Sequence, residues 1–97
     1  MVRIVFAPQA VDDLGQLTDF LIESDKNTAL ATIELIEEAV EILVKHPLIG
    51  RLCDSHLREL VISRGKSGYV ALYSFEEAKK TILINAIRHQ RESGGLY

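Results

Sequence analysis

Ninety-seven residues, 47% apolar and 26% charged, read as one globular domain with a single two-layer core and no room for a separate substrate domain. A formal net charge of -3 with ordinary residue usage excludes disorder and low-complexity tracts, and is a poor match to a protein held mainly on nucleic-acid phosphates. No apolar run reaches the roughly 20 residues of a membrane span, and residues 1–8 lack a leader's apolar core and cleavage site, so a cytoplasmic chain with no membrane partner is expected.

The β-branched and aromatic run Val2-Arg3-Ile4-Val5-Phe6, stopped by Pro8, predicts a first strand. From Gln9 the period changes. Ala10, Leu14, Leu17 and Leu21 recur at helical steps, with Asp12 and Asp13 expected in the first turn, where the helix dipole favours negative charge. The polar stretch Ser24-Asp25-Lys26-Asn27 ends this helix and supplies N-caps for the next. In the second helix Ala29, Ile33, Ile36, Val40 and Leu43 form the apolar stripe, Glu34, Glu37, Glu38 and Glu41 the solvated side, and Pro47 the stop. So short a connection makes the two helices an antiparallel hairpin.

Pro47-Leu48-Ile49-Gly50-Arg51 reads as a loop continuing to about His56. Strands resume at Leu57 to Ser63 and, after the turn Arg64-Gly65-Lys66-Ser67-Gly68, at Tyr69 to Phe75. The charged connection Glu76 to Lys80 then leads to a last strand from Thr81 to Arg88. The expected architecture is α+β: an antiparallel sheet with a helical hairpin packed on one face, in the order β-α-α-β-β-β. Strict alternation would place Ile82, Ile84, Ala86 and Arg88 on one face of the last strand and Leu83, Asn85, Ile87 and His89 on the other. Both sets are mostly apolar, which suits a surface receiving a segment of another protein better than an enzyme pocket.

Charge is divided along the chain: residues 1–44 hold two cations against nine anions, and residues 45–97 nine against five. An acidic partner or anionic ligand is therefore expected at the C-terminal half. The run Arg88-His89-Gln90-Arg91-Glu92 concentrates donors suited to phosphate or carboxylate, and Arg58, Arg64 and Arg88 approach one another if their strand ends meet. For acid-base chemistry His89 is the best-placed group, with Arg91, Glu92 or Tyr97 near it in sequence to orient it. A lone Cys53 and histidines at 46, 56 and 89 without ligand spacing predict no disulfide within the chain, no metal and no cofactor. Glycine loops that cradle phosphate and nucleophile-elbow motifs are lacking, which argues against nucleotide hydrolysis and common hydrolase chemistry.

Pro8, Ala10, Asp13-Leu14, Ala31, Ile36, Leu43, the loop Pro47 to Arg51, Arg58-Glu59-Leu60, Gly68 to Tyr73 and Ile87 to Glu92, in this order, resemble the RelE/ParE superfamily of toxins from bacterial type II toxin-antitoxin systems. The resemblance spans nearly the whole chain. It implies a cognate antitoxin whose C-terminal segment wraps the toxin. RelE-like members resemble ribosome-dependent messenger-RNA endoribonucleases with a cationic sheet, whereas ParE-like members resemble inhibitors of DNA gyrase that are not hydrolases. Here Val70 stands where an arginine commonly follows the Gly-Tyr of the ribonucleases, and Leu60, Val61 and Ile62 occupy the strand where their lysines alternate. Losing even one electrostatic contact to a developing charge costs roughly 2.7–4 kcal/mol in well-studied sites, so the ParE-like reading is preferred. It carries plasmid stabilisation and growth inhibition as expected roles. Arg58, Arg64, Tyr69, Tyr73, Arg88, His89 and Arg91 are then candidate contacts to target or antitoxin. The alternative is a ribosome-dependent ribonuclease using Arg64, Arg88, His89, Arg91 and Tyr97, and a further one is a non-toxic member that only binds its antitoxin.

Overall fold

The computed structural model describes residues 1–64 and 67–89, and for residues 63, 64 and 67 the backbone alone. Strand β1 (Arg3–Phe6) leads into helices α1 (Pro8–Ser24) and α2 (Lys26–Lys45). Strands β2 (Arg51–Leu52), β3 (Arg58–Arg64), β4 (Ser67–Glu76) and β5 (Thr81–His89) follow, with one 3-10 turn at Glu77–Lys79 before β5. The expected α+β architecture holds, and the structure adds the short strand β2 inside the predicted loop. The sheet order is β1-β5-β4-β3-β2. β3, β4 and β5 form the antiparallel meander, whereas β1 lies parallel to β5 with Phe6 opposite Ile84, making the whole sheet mixed. A strand that leaves through two helices and three more strands is free to return in parallel, a constraint that tight hairpins do not allow.

Helix α1 opens with Pro8 at its first position, where the missing N–H costs nothing. Asp12 and Asp13 consequently fall one turn later than expected and lie outside the first turn, so the dipole argument does not apply to them. Asp25 ends α1 and caps α2: one carboxylate oxygen accepts the Asn27 N–H at 3.0 Å and the other the Thr28 hydroxyl at 2.9 Å. An Asp25→Ala variant is expected to lose about 0.5–2 kcal/mol, read from a denaturant midpoint, because those donors return to solvent competition.

The core joins Ala10 of α1 and Ile36, Ala39 and Leu43 of α2 to Ile62, Tyr69, Ala71, Tyr73, Ile82, Ile84 and Ile87 of the sheet. In α2 the fully buried stripe is Ala29, Thr32, Ile36, Ala39 and Leu43, while the predicted Ile33 and Val40 sit half-buried at its margin.

Alternation in β5 does not run through. Leu72 faces Ala86 but Tyr73 faces Ile84, so Asn85 is a β-bulge with no residue opposite it. Before the bulge Ile82 and Ile84 point to the helices; after it Ile87 and His89 do, paired with Ala71 and Tyr69. Ala86 and Arg88, expected to continue the Ile82 and Ile84 face, lie on the other. Unbroken alternation would have turned a charged Arg88 toward the helical layer, and the extra residue substitutes Ile87 there.

Candidate functional site

Of the residues singled out from sequence, Arg88 and His89 lie together at the end of β5, Tyr69 stands opposite His89, and Tyr73 and Arg58 lie elsewhere. Arg91 and Tyr97 fall outside the described residues, as does the side chain of Arg64. The Tyr69 and His89 rings meet edge to face with centroids 5.4 Å apart. Beside them is a pocket of about 420 Å³, lined by Asp13, Gln16, Leu17 and Phe20 of α1, Tyr69 of β4, and Ile87, Arg88 and His89 of β5. Apolar Leu17, Phe20 and Ile87 line it beside polar Asp13, Gln16, Arg88 and His89, and Phe20 is largely exposed. No group of three or more His, Cys, Asp or Glu side chains arranged to hold a metal occurs among the described residues.

Sequence reasoning missed Asp13 as part of this site. Asp13 Oδ2 accepts the Ile87 N–H at 3.0 Å across 74 residues, and Oδ1 accepts from Gln9 Nε2 at 2.8 Å. A signal was present: three residues after Ala10 and four before Leu17, Asp13 falls on the inward stripe of its own helix.

Arg58 and Tyr73 serve the loop between α2 and β2. The fully buried Tyr73 hydroxyl accepts the Gly50 N–H at 2.8 Å and donates to the Pro47 carbonyl at 2.8 Å. Arg58 Nη1 donates to the carbonyls of Gly50 at 2.8 Å and Leu48 at 3.2 Å. Burial raises the Tyr73 phenol above its ordinary pKa, opposed by the Gly50 hydrogen bond and the nearby Arg58 charge. Glycine is required at position 50, where a Cβ would stand 2.6 Å from a Tyr73 ring carbon and 3.0 Å from the Glu59 carbonyl oxygen. Arg58 sits opposite Tyr73 on the helical side, while Arg88 shares its level of the sheet with Val70 and Val61, roughly 10 Å further along β3 and on the other face. The expected convergence of Arg58 with Arg88 does not occur.

The face away from the helices carries Val61, Val70, Leu72, Leu83 and Ala86 by register. Its described cations are dispersed: Arg3 on β1 beside Thr81, Arg51 on β2 paired with Glu59, and the exposed Arg88 at the end of β5. On the helical side a groove of about 460 Å³ runs between Phe6, Leu14, Ile33, Ile36 and Val40, with Glu37 and Glu41 at its rim. The apolar floor and acidic rim suit an amphipathic segment bearing cations. No described helix is long and apolar enough to cross a membrane.

Residues 4–94 match the model of the family described as "ParE toxin of type II toxin-antitoxin system, parDE". Among curated proteins, Toxin RelE3 of Caulobacter vibrioides is 33% identical over 93 residues, covering 95% of this chain and 98% of the relative. Among solved structures, a chain of the chromosomal ParDE toxin-antitoxin system from P. aeruginosa aligns with a TM-score of 0.72 at 24% identity, over 92% of this chain and 96% of that one. A chain of the toxin-antitoxin complex RelBE2 from Mycobacterium tuberculosis aligns with a TM-score of 0.59 at 23% identity, over 91% and 96%. These two likenesses concern the fold.

Proposed function

Because the chain belongs to the ParE toxin family, and so to the RelE/ParE superfamily of type II toxin-antitoxin toxins, we propose that it arrests growth by binding DNA gyrase and is neutralised by a cognate antitoxin. The observation that carries this reading is the sheet face opposite the helices. Among the described residues it is largely apolar along β3, β4 and β5, with Glu59 and Ser74 the polar exceptions between Val61, Val70, Leu72, Leu83 and Ala86, and its cations stand apart, whereas cleavage of RNA needs several donors converging on one phosphate. Val61 and Arg88 stand exposed on it while Val70 and Ala86 are buried, and an arginine near an exposed apolar side chain is suited to a protein target. The groove between the helices, with its acidic rim, is the complementary place for an antitoxin segment.

The test is supercoiling of relaxed plasmid by purified gyrase. With the toxin in stoichiometric excess, supercoiling is expected to stop and cleaved DNA to accumulate, and prior addition of antitoxin to prevent both. Unimpaired supercoiling overturns the gyrase reading. One observation favours a second reading, ribosome-dependent cleavage of messenger RNA: Arg88 and His89 adjoin the same pocket at one strand end. Toeprinting on translating ribosomes decides it, since A-site cuts abolished by His89→Ala or Arg88→Ala would establish the ribonuclease.

A further inference from the structure

Strand β1 ends opposite Ile84, and the chain turns from there into α1, so β5 has no β1 residue paired beside it after the bulge. Ile87 is nonetheless buried, and a buried amide without an acceptor is strongly unfavourable. Asp13 of α1 supplies the acceptor at 3.0 Å, in the place where a strand carbonyl would stand. That single bond ties α1 to the bulged register. If the bulge slipped out, Ile87 would exchange faces with its neighbours, its amide would turn toward the opposite edge, and Asp13 would lose its donor.

We propose that Asp13 is a positioning residue: by holding the Ile87 amide it keeps β5 in the bulged register and so sets Arg88 on the open sheet face and His89 against Tyr69. The link to toxicity rests on the reading of the open face as the target surface. Reach, rather than charge, is what the bond requires. Asparagine offers an acceptor oxygen at the same distance from the backbone, while glutamate keeps the charge but places it one methylene further out, where it displaces the strand or loses the bond.

The experiment compares Asp13→Asn, Asp13→Glu and Asp13→Ala in the full chain by amide hydrogen exchange at Ile87, by the Tyr69 to His89 ring contact in NMR spectra, and by growth arrest at equal expression. Asp13→Asn is expected to keep the slow Ile87 exchange and the Tyr69 to His89 ring contact. Asp13→Glu and Asp13→Ala are expected to speed Ile87 exchange by about tenfold or more, weaken the ring contact and reduce growth arrest. If Asp13→Ala does not fold, the Asn and Glu pair still decides between reach and charge. Asp13→Glu behaving like the parent while Asp13→Asn fails would overturn the proposal, as would slow Ile87 exchange in Asp13→Ala. Should the parent chain cause no growth arrest, the gyrase reading falls, while exchange and the ring contact still judge the positioning.

Discussion

Tyr73→Ala is expected to lose about 3–5 kcal/mol of stability, the range for truncating a large buried aromatic side chain. Tyr73 has no exposed surface, and its ring and hydroxyl act on different parts of the fold. The ring fills the core between Ile84 and the loop, while the hydroxyl satisfies Gly50 N–H and Pro47 C=O. Tyr73→Phe separates the two contributions. It keeps the ring and leaves the Gly50 donor and Pro47 acceptor unpaired, so a loss of about 1–3 kcal/mol is expected, measured by denaturant unfolding. A loss in Tyr73→Phe as large as in Tyr73→Ala would mean that packing contributes little.

The same residue predicts a dependence on alkaline pH. Burial raises the folded-state pKa of the phenol above its unfolded value, against the weaker lowering by Gly50 and Arg58. Below about pH 10 the phenol is neutral in both states and the Tyr73 contribution is fully present. As pH rises through the folded pKa the unfolded chain releases its proton first, and that stability is lost. Tyr73→Phe should flatten this alkaline decline, and an unchanged slope would show that the phenol is not its source.

Arg88→Glu is expected to produce the largest loss of function. Arg88 is exposed at the end of β5, beside an apolar face with Val70 opposite it in the register. Arginines of this kind act as anchors in protein interfaces, where truncation costs about 2 kcal/mol or more and reversal of charge adds repulsion. On the proposed gyrase reading, the toxin concentration needed for half-inhibition of supercoiling should rise by about 30-fold or more, with no matching fall in melting temperature. Arg88→Lys, which keeps the charge without the planar fork, should fall between the two. Arg58→Ala provides the contrast: its guanidinium holds the Leu48 and Gly50 carbonyls, so stability should suffer before inhibition does.

The elements were legible because their signals are local. Helical steps from Ala10 to Leu21 and from Ala29 to Leu43, the cap at Asp25, and the β-branched runs of β3 and β4 each depend on neighbours a few positions away, although Arg64, Ser67 and Gly68, expected in the turn, belong to the paired strands. The family resemblance was legible for a related reason, since it rests on the order of short motifs along the chain. What only the tertiary structure decided are relations between distant residues. The parallel placement of β1 depends on a return through two helices and three strands, and the bulge at Asn85 depends on which of Ile87 and Arg88 the helical layer accepts. Tyr73, Arg58 and Asp13 changed meaning for the same reason. A polar side chain's role follows from the donor or acceptor it meets, and the partners that fix these roles, Gly50, Pro47 and Ile87, lie 8 to 74 residues away in sequence.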